Sequence, residues 1–200
     1  MSVALEQESR KTSRSKGDMS SHDAFTGPSF PLKNRIARAL WNLTWLLLFR
    51  PSPTPLHGWR RFLLRCFGAK VGKGCHIYPG ARIWAPWNLE CGEEAGVASG
   101  ANLYNQALVR LGRRTVISQG SHICTGTHDY ESAGFELVAK PITIGDMAWV
   151  AADCFVCPGV TIGEGAVIGA RSVVTKDMPA WQVCAGHPCR PLKPRRIRQQ

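Results

Sequence analysis

The residue of this 200-residue chain best suited to acid–base chemistry is His128. An imidazole changes charge close to neutral pH, so it can act as a general base that removes the proton of a hydroxyl group. His128 directly precedes residues 129–143, the one long segment that interrupts an otherwise regular repeat. Function tends to concentrate where a loop breaks a regular scaffold. We therefore predict a catalytic role for His128; the alternative is a corner histidine without a role.

An aliphatic residue recurs every six positions, and this period predicts the scaffold that positions His128. A helix would place apolar residues 3.6 positions apart, and a hairpin would alternate them strictly. A short fixed period is typical of a solenoid, in which each repeat buries its apolar side only against its neighbours. The fifteen positions, all aliphatic except Cys91, are Val71, Ile77, Ile83, Cys91, Val97, Leu103, Leu111, Ile117, Ile123, Ile144, Val150, Val156, Ile162, Ile168 and Val174.

Three hexapeptides make one triangular coil, because each supplies one short strand and one corner. Small residues four positions after the aliphatic ones suit these corners, and glycine repeatedly follows the aliphatic residue itself. The sequence thus predicts a mainly β fold of about five stacked coils of parallel strands. The coils span residues 71–88, 91–108, 111–128, 144–161 and 162–179.

Two long stretches resemble the hexapeptide-repeat O-acetyltransferases. Residues 140–190, from Lys-Pro-Ile-Thr-Ile-Gly-Asp to Gly-His-Pro-Cys-Arg, are similar to the galactoside and maltose O-acetyltransferases. Residues 56–90, from Leu-His-Gly-Trp to Trp-Ala-Pro-Trp-Asn-Leu-Glu, are similar to the acetyltransferases of colanic acid (exopolysaccharide) biosynthesis. The resemblance implies a left-handed parallel β-helix, although the general rule for parallel crossovers favours the right hand.

The same resemblance implies an acetyl-CoA-dependent O-acetyltransferase that acts on a sugar hydroxyl of a bacterial exopolysaccharide precursor. His128 occupies the position of the family's catalytic histidine, in the segment Cys-Thr-Gly-Thr-His-Asp. The acceptor hydroxyl is expected to attack the thioester directly, without a metal. The acceptor is expected to be a free, nucleotide-linked or lipid-linked sugar, and the expected assembly is a homotrimer with active sites between subunits. Either Asp129 or a backbone carbonyl orients the imidazole.

The resemblance also nominates residues that bind the two substrates. Asn105 matches an acceptor-binding asparagine, with the alternative that it satisfies turn backbone. Three of the residues expected at acetyl-CoA have an alternative role. Trp149 could instead pack at a trimer seam, and Lys176 and Arg190 could instead be solvated surface charges. The residues expected at acetyl-CoA are Trp149, Ala152, Ala170, Thr175, Lys176 and Arg190, the last two through charge-assisted hydrogen bonds to phosphates.

The chain divides into four segments. We expect a disordered polar tail at 1–28, a basic amphipathic helical segment at 29–70, the β-helix acyltransferase domain at 71–180 and a basic tail at 181–200. Residues 24–89 contain ten basic and no acidic side chains. With tryptophan and leucine, this composition favours peripheral contact with an anionic membrane, or else packing against the solenoid or another subunit. No nucleic-acid motif accompanies the charge.

Two rival functions remain open at this stage. A γ-class carbonic anhydrase shares the solenoid and binds zinc through three histidines, for which His76, His122 and His128 are available. The second rival function is that of a catalytically degenerate scaffold protein. Three of the eight cysteines, Cys75, Cys91 and Cys154, fall on inward repeat positions, where cysteine behaves as a small apolar residue, and we expect free thiols. We expect no signal peptide before the first apolar run. A cytoplasmic location is therefore expected, on or near the inner face of the membrane.

Overall fold

The computed structural model describes residues 29–197, in which two helical segments precede nineteen short strands. Helix α1 spans Leu32–Thr44 and continues into a π-helical turn at Trp45–Phe49, and α2 spans His57–Cys66. The predicted disordered tail at 1–28 lies outside the described residues. The strands are β1 Lys70–Val71, β2 His76–Ile77, β3 Arg82–Ile83, β4 Leu89–Cys91, β5 Gly96–Val97, β6 Asn102–Tyr104, β7 Val109–Leu111, β8 Val116–Ile117, β9 His122–Cys124, β10 Gly126–His128, β11 Leu137–Ala139, β12 Ile142–Ile144, β13 Trp149–Val150, β14 Phe155–Val156, β15 Thr161–Ile162, β16 Val167–Ile168, β17 Val173–Val174, β18 Gln182–Gly186 and β19 Cys189–Pro194.

The strands form three parallel sheets, which are the three faces of a triangular solenoid. The first face contains β1, β4, β7, β12 and β15, and the third contains β3, β6, β9, β14 and β17. The second face contains β2, β5, β8, β13, β16 and β18, with β19 antiparallel at its edge. Cys91 pairs with both Val71 and Leu111, so equivalent hexapeptide positions align from coil to coil. The predicted mainly β solenoid with an N-terminal helical segment is confirmed.

The hexapeptide aliphatic residues point inward and form the core. On the second face, Ile77, Val97, Ile117, Val150 and Ile168 are all fully buried one above the other. Alternate residues of a strand point to opposite faces, so a two-residue strand buries one side chain and exposes the next. Each aliphatic residue therefore packs against its equivalents in the adjacent coils.

Glycine after the aliphatic residue allows adjacent coils to approach closely. A Cβ atom added to Gly92 would lie 2.6 Å from the backbone nitrogen of Arg113 in the next coil, with no flexible side chain able to yield. At Gly96, four residues later in the same coil, an added Cβ would meet no heavy atom within 4 Å. The two glycines therefore have different reasons to be glycine.

This difference predicts opposite effects of the same substitution. Gly92→Ala is expected to lower the free energy of unfolding by about 1–3 kcal/mol, because the next coil must move. Gly96→Ala is the matched control and is expected to be neutral or to stabilise by about 0.4–1 kcal/mol through the unfolded chain. Urea unfolding at equal protein concentration measures both. Equal losses of stability would contradict the close-approach explanation.

The interruption of the repeat is a β-hairpin that leaves the solenoid. Strands β10 and β11 pair antiparallel, with His128 opposite Leu137. The sequence placed His128 at the end of the third coil and the insertion after it. In the structure the excursion already begins at β10, so His128 projects from the coil on a hairpin strand rather than closing the coil.

The C-terminal segment also differs from a simple tail. Strand β18 pairs with β16 and begins a partial sixth coil, and β19 folds back on β18. Cys184 and Cys189 are buried within this hairpin. Cys184 follows Ile168 by sixteen residues instead of eighteen. The segment therefore does not keep the hexapeptide period, and the sequence pattern did not predict this strand.

Helix α1 and its π-helical turn are apolar on two sides. One stripe packs on the first coil: Trp41 and Phe49 are buried, and the guanidinium of Arg38 stacks on Trp84 at 3.9 Å. A second stripe of aliphatic residues faces outward, each more than half exposed. Its members are Leu32, Ile36, Leu40, Leu43 and Leu47, and it is called the outward stripe below.

The helical segment caps the open end of the solenoid. In the second coil, five carbonyls accept hydrogen bonds from backbone N–H groups of the first coil, at Cys91, Ala95, Val97, Ala101 and Leu103. The equivalent carbonyls of the first coil have no preceding coil to donate to them. Arginine and tryptophan side chains donate instead, and neither type can accept a hydrogen bond. The pairs are Arg65 with Val71, Arg61 with Cys75, Arg60 with Ile77, Trp45 with Ala81 and Trp41 with Ile83.

Candidate active site

A single hydrogen bond identifies the tautomer of the neutral His128 ring. Its Nδ1 atom lies 2.8 Å from the backbone oxygen of Phe135, across the hairpin. A carbonyl oxygen can only accept, so Nδ1 carries the hydrogen and Nε2 of the neutral ring keeps its lone pair. The imidazole also stacks on the Phe135 ring, with centroids 4.3 Å apart and planes 9° apart. A backbone carbonyl thus orients the ring, which decides the question that the sequence left open; Asp129 instead accepts from the backbone of Glu131.

His128 lines a cavity of about 310 Å³ between the hairpin and α1. Arg35 and Arg38 come from α1, and Tyr104 and Gln106 come from the second coil. The Gln106 amide donates to the Tyr104 hydroxyl at 2.8 Å. Burial lowers the pKa of the Arg38 guanidinium below its usual range. The site therefore combines an oriented base with polar and cationic side chains.

Sequence reasoning missed the other residues of this cavity. Arg35 and Arg38 lie about ninety positions before His128, and only packing of α1 on the first coil brings them to it. Gln106 and Tyr104 flank Asn105, the residue that the resemblance nominated. The acid-free, basic character of the α1 segment was the available signal, but it did not indicate this cavity.

Asn105 is enclosed and bonded to the turn of the first coil. Its side chain is fully buried. The oxygen accepts from the Ala85 backbone nitrogen at 3.0 Å, and the amide donates to the carbonyls of Ala85 and Asn88 at 2.6 and 3.0 Å. This geometry matches the alternative in which the asparagine satisfies turn backbone. Acceptor binding by Asn105 stays a prediction and would require the side chain to leave these bonds.

Five of the six residues nominated for acetyl-CoA lie at two corners of the solenoid, and Trp149 lies on a face. Ala152 and Ala170 stack at the corner between the second and third faces, where the backbone nitrogen of Arg171 donates to the Ala152 carbonyl. Arg190 is exposed on β19, whose hairpin reaches this corner through the contact of His187 with the Arg171 carbonyl. We call this the cofactor corner.

Thr175 and Lys176 are exposed at the opposite end of the third face, directly after β17. The His128 hairpin occupies that same corner two coils earlier, because it follows β9 of the third face. This second location is called the histidine corner. Within one chain the third face separates the two corners, so the structure groups Thr175 and Lys176 with His128 and leaves Ala152, Ala170 and Arg190 apart.

Trp149 lies on the outer surface of the second face. It is 45% exposed, and its indole nitrogen donates to the hydroxyl of Ser118 at 2.9 Å. Its strand neighbours Val116 and Val167 also point outward. This apolar surface is compatible with both a cofactor wall and a subunit seam, the two roles predicted for Trp149.

The histidines nominated for zinc have separate partners. His76 contacts His57, His122 contacts Tyr104 and Phe155, and His128 stacks on Phe135. Burial lowers the pKa of His122. Within residues 29–197, no three His, Cys, Asp or Glu side chains are grouped closely enough to bind a metal.

A larger depression of about 720 Å³ lies along the first face, among Lys70, Glu90 and Arg110. Glu90 forms ion pairs with both bases, and these pairs hold the pKa of its carboxyl below the usual range. His128 does not contribute to its walls. The histidine cavity is therefore the better candidate site despite its smaller size.

Comparisons with known proteins agree with this architecture. Residues 141–176 match the family described as Bacterial transferase hexapeptide (six repeats). The chain is 48% identical over 155 residues to "Putative colanic acid biosynthesis acetyltransferase WcaF" of Escherichia coli (strain K12), covering 78% of this chain and 85% of that protein. It is 37% identical over 120 residues to the galactoside O-acetyltransferase of the same organism, covering 60% of this chain and 55% of that protein.

Two solved structures share the fold over most of their length. A maltose O-acetyltransferase from Clostridium difficile 630 aligns with a TM-score of 0.76 and 27% identity, covering 84% of this chain and 90% of that one. A galactoside acetyltransferase in complex with coenzyme A aligns with a TM-score of 0.75 and 27% identity, covering 84% of each chain. Among the helices within residues 29–197, none has the length and apolar character needed to span a bilayer.

Proposed function

We propose a specific reaction for this chain, which belongs to the hexapeptide-repeat acetyltransferases. It transfers the acetyl group of acetyl-CoA to a sugar hydroxyl of a bacterial exopolysaccharide precursor. The observation that carries this proposal is the His128 imidazole, held by the Phe135 carbonyl with Nε2 available as a base. The relative named for colanic acid biosynthesis and the structure containing coenzyme A support the two substrates.

The chemistry needs one proton acceptor and one leaving thiolate. Nε2 of His128 takes the proton of the acceptor hydroxyl as its oxygen attacks the thioester carbonyl. The tetrahedral intermediate collapses, the carbon–sulfur bond breaks, and the imidazolium returns the proton to the coenzyme A thiolate. The Phe135 carbonyl remains bonded to Nδ1 throughout and stabilises the charged ring.

A panel of sugars with detection of the released thiol tests the proposed reaction. Acetyl-CoA alone should release thiol slowly, and a correct acceptor should accelerate release and gain one acetyl ester by mass spectrometry. A scaffold without activity would release no thiol with any acceptor. A carbonic anhydrase would instead contain zinc and hydrate carbon dioxide.

The cofactor is proposed to contact Trp149, Ala152, Ala170, Thr175, Lys176 and Arg190. Lys176→Ala and Arg190→Ala are each expected to raise KM for acetyl-CoA roughly tenfold or more, because each removes a charged hydrogen bond to a phosphate. KM for the acceptor should change little. Lys73→Ala is the control, because Lys73 is an exposed base of the first coil far along the chain from both. Unchanged KM for acetyl-CoA in both variants would place these bases in solvent.

A homotrimer is proposed to join the two corners into one site. The cofactor corner and the histidine corner lie at opposite edges of the third face of one chain, so a neighbouring chain can bring its cofactor corner to His128. Exposed apolar residues on the second and third faces, including Val116, Trp149 and Phe155, support such a seam. Light scattering after gel filtration should give three chain masses; a stable monomer with full activity would exclude a shared site.

Peripheral contact with an anionic lipid surface is proposed for the outward stripe. Five aliphatic side chains project from one side of α1 and its π-helical turn, and Trp59 and Phe62 of α2 are also exposed. The Trp59 indole donates to the Leu48 carbonyl at 3.0 Å, which places the two helical segments side by side. Exposed Lys33 and Arg50 lie at the two ends of the stripe. An amphipathic helix with these features suits the interface of an anionic bilayer, where a lipid-linked acceptor would be concentrated.

A further inference from the structure

The cavity beside His128 contains two cations that transfer to a neutral sugar does not require. Arg35 and Arg38 lie one turn apart on α1, and both line the cavity. Of the lining residues within the described chain, none is acidic. The arginines face a tyrosine hydroxyl and a glutamine amide rather than carboxylates. Among the described residues, the cavity lining therefore carries two positive charges and no negative charge next to the proposed base.

Two polar atoms of the same cavity residues also lack hydrogen-bond partners in the part of the chain that the structure describes. Arg38 Nε and Gln106 Oε1 are buried, and neither makes a hydrogen bond within residues 29–197. Leaving a buried donor or acceptor unpaired is unfavourable, and such atoms in native proteins usually have a purpose. The Arg38 guanidinium is held in place by stacking on Trp84 at 3.9 Å. A fixed arginine with an unused donor is prepared for an external acceptor.

The chemistry of arginine indicates which kind of group this unused N–H donor would bind. A guanidinium presents a rigid fork of N–H donors that matches the paired oxygens of phosphate and carboxylate groups. Two arginines one helical turn apart suit an extended anion or two anionic oxygens. A neutral sugar hydroxyl can accept a hydrogen bond from a guanidinium, but it carries no negative charge to pair with the two cations.

We propose that this cavity binds an anionic group carried by the acceptor, which places a nearby hydroxyl at Nε2 of His128. The proposal rests on the acetyl-transfer function proposed above and names its substrate class: a sugar bearing phosphate, diphosphate or carboxylate oxygens. Arg38, which is partly buried and stacked, is the anchor; Arg35, which is exposed, attracts the anion at the rim. Gln106 accepts from a hydroxyl of the same molecule.

A binding experiment tests the anion site without relying on catalysis. Inorganic pyrophosphate is titrated into the full-length protein saturated with coenzyme A, so that cofactor phosphate contacts are already occupied. The wild-type protein should bind pyrophosphate, and Arg38→Gln should weaken binding by about tenfold to a hundredfold. Arg82→Gln is the matched control, because Arg82 lies over Trp45 at the same helix–solenoid junction but does not line the cavity. No pyrophosphate binding, or equal weakening by both variants, would overturn the proposal.

Acceptor kinetics then identify the source of the anion. The arms are a neutral hexose, the hexose 1-phosphate, the nucleoside-diphosphate hexose and the corresponding hexuronic acid. One anionic arm should exceed the neutral hexose in kcat/KM, and Arg38→Gln should remove about tenfold to a hundredfold of that preference. Equal kcat/KM for all arms, with acetyl transfer intact, would overturn the anion site and leave the acetyltransferase standing. Pyrophosphate binding without acetyl transfer to any arm would support the anion site and overturn the acetyltransferase function.

Discussion

Replacement of His128 by alanine is expected to lower kcat by roughly 10²–10⁴-fold, the contribution of a positioned general base. The expectation rests on the imidazole geometry: Nδ1 is committed to the Phe135 carbonyl, and Nε2 is left to take a proton. The binding constant for acetyl-CoA should stay nearly unchanged, because the base acts on the acceptor. Steady-state thiol release and calorimetric titration of acetyl-CoA measure the two quantities separately.

The control for this variant is His76→Ala. His76 is exposed on the second face of the first coil, contacts His57 and does not line the cavity. Its replacement should leave kcat close to that of the wild type. If His128→Ala keeps more than about a tenth of the wild-type kcat, the base is another group and the proposed mechanism fails. A parallel loss of acetyl-CoA binding would instead indicate damage to the hairpin.

The second large effect is expected at the lipid surface. The double variant Leu40→Glu/Leu43→Glu should lower the partition constant onto anionic vesicles by roughly a hundredfold or more, because burying one leucine contributes about 1.5–3 kcal/mol. Both side chains are more than half exposed, so the fold should tolerate the change. Co-sedimentation with vesicles of anionic and of neutral lipid, at low and high salt, measures it. Wild-type binding should favour anionic lipid and weaken with salt.

The matched control is Leu192→Glu/Ile197→Glu, which introduces the same charge at two exposed aliphatic residues near the C-terminus. It should retain vesicle binding. Negligible wild-type binding to both vesicle types would remove the membrane contact. If the stripe variant instead changes the oligomeric mass, the outward stripe contacts a neighbouring subunit. Point variants are preferable to deletion of residues 1–55, because that deletion also removes Trp41 and Trp45 from the cap.

The solenoid could be predicted from the sequence because its order is local and repeated. Every hexapeptide meets the same kind of neighbour, so one aliphatic residue in six suffices to specify a strand and its inward side. The prediction weakens where the period changes. The β18–β19 hairpin departs from the spacing of six, and its buried Cys184 therefore gave no periodic signal.

The candidate site was harder to predict from the sequence, because it depends on contacts between distant segments. The break in the repeat indicated His128, but not the Phe135 carbonyl that fixes its tautomer. Nor could the repeat show that α1 would bring Arg38 to the cavity. Acceptor binding by Asn105 stays a prediction: its chemistry suits an acceptor contact, and the sequence did not show that its side chain would be buried and hydrogen-bonded to the turn of the preceding coil.

The basic, acid-free helical segment has a use that charge counting alone does not suggest. Arg60, Arg61 and Arg65 donate to carbonyls of the first coil, so these three side chains are engaged within the protein. An acidic side chain at these positions could not donate to the carbonyl oxygens that the three arginines now satisfy. The membrane proposal therefore depends on the exposed aliphatic residues and on Lys33 and Arg50, not on the full basic excess.

Because the carbonyl bonds of the donor-only cap go to one edge of the solenoid, the number of coils can change independently of how that end is capped. The five carbonyl bonds of the cap go to the edge of the first coil, and each internal coil joins its neighbours through the same backbone register. A coil added or lost between the His128 hairpin and the C-terminal hairpin would leave that edge unchanged, together with the cavity that α1 forms beside His128. The number of coils in this interval therefore sets the distance between the two hairpins without requiring a new terminus.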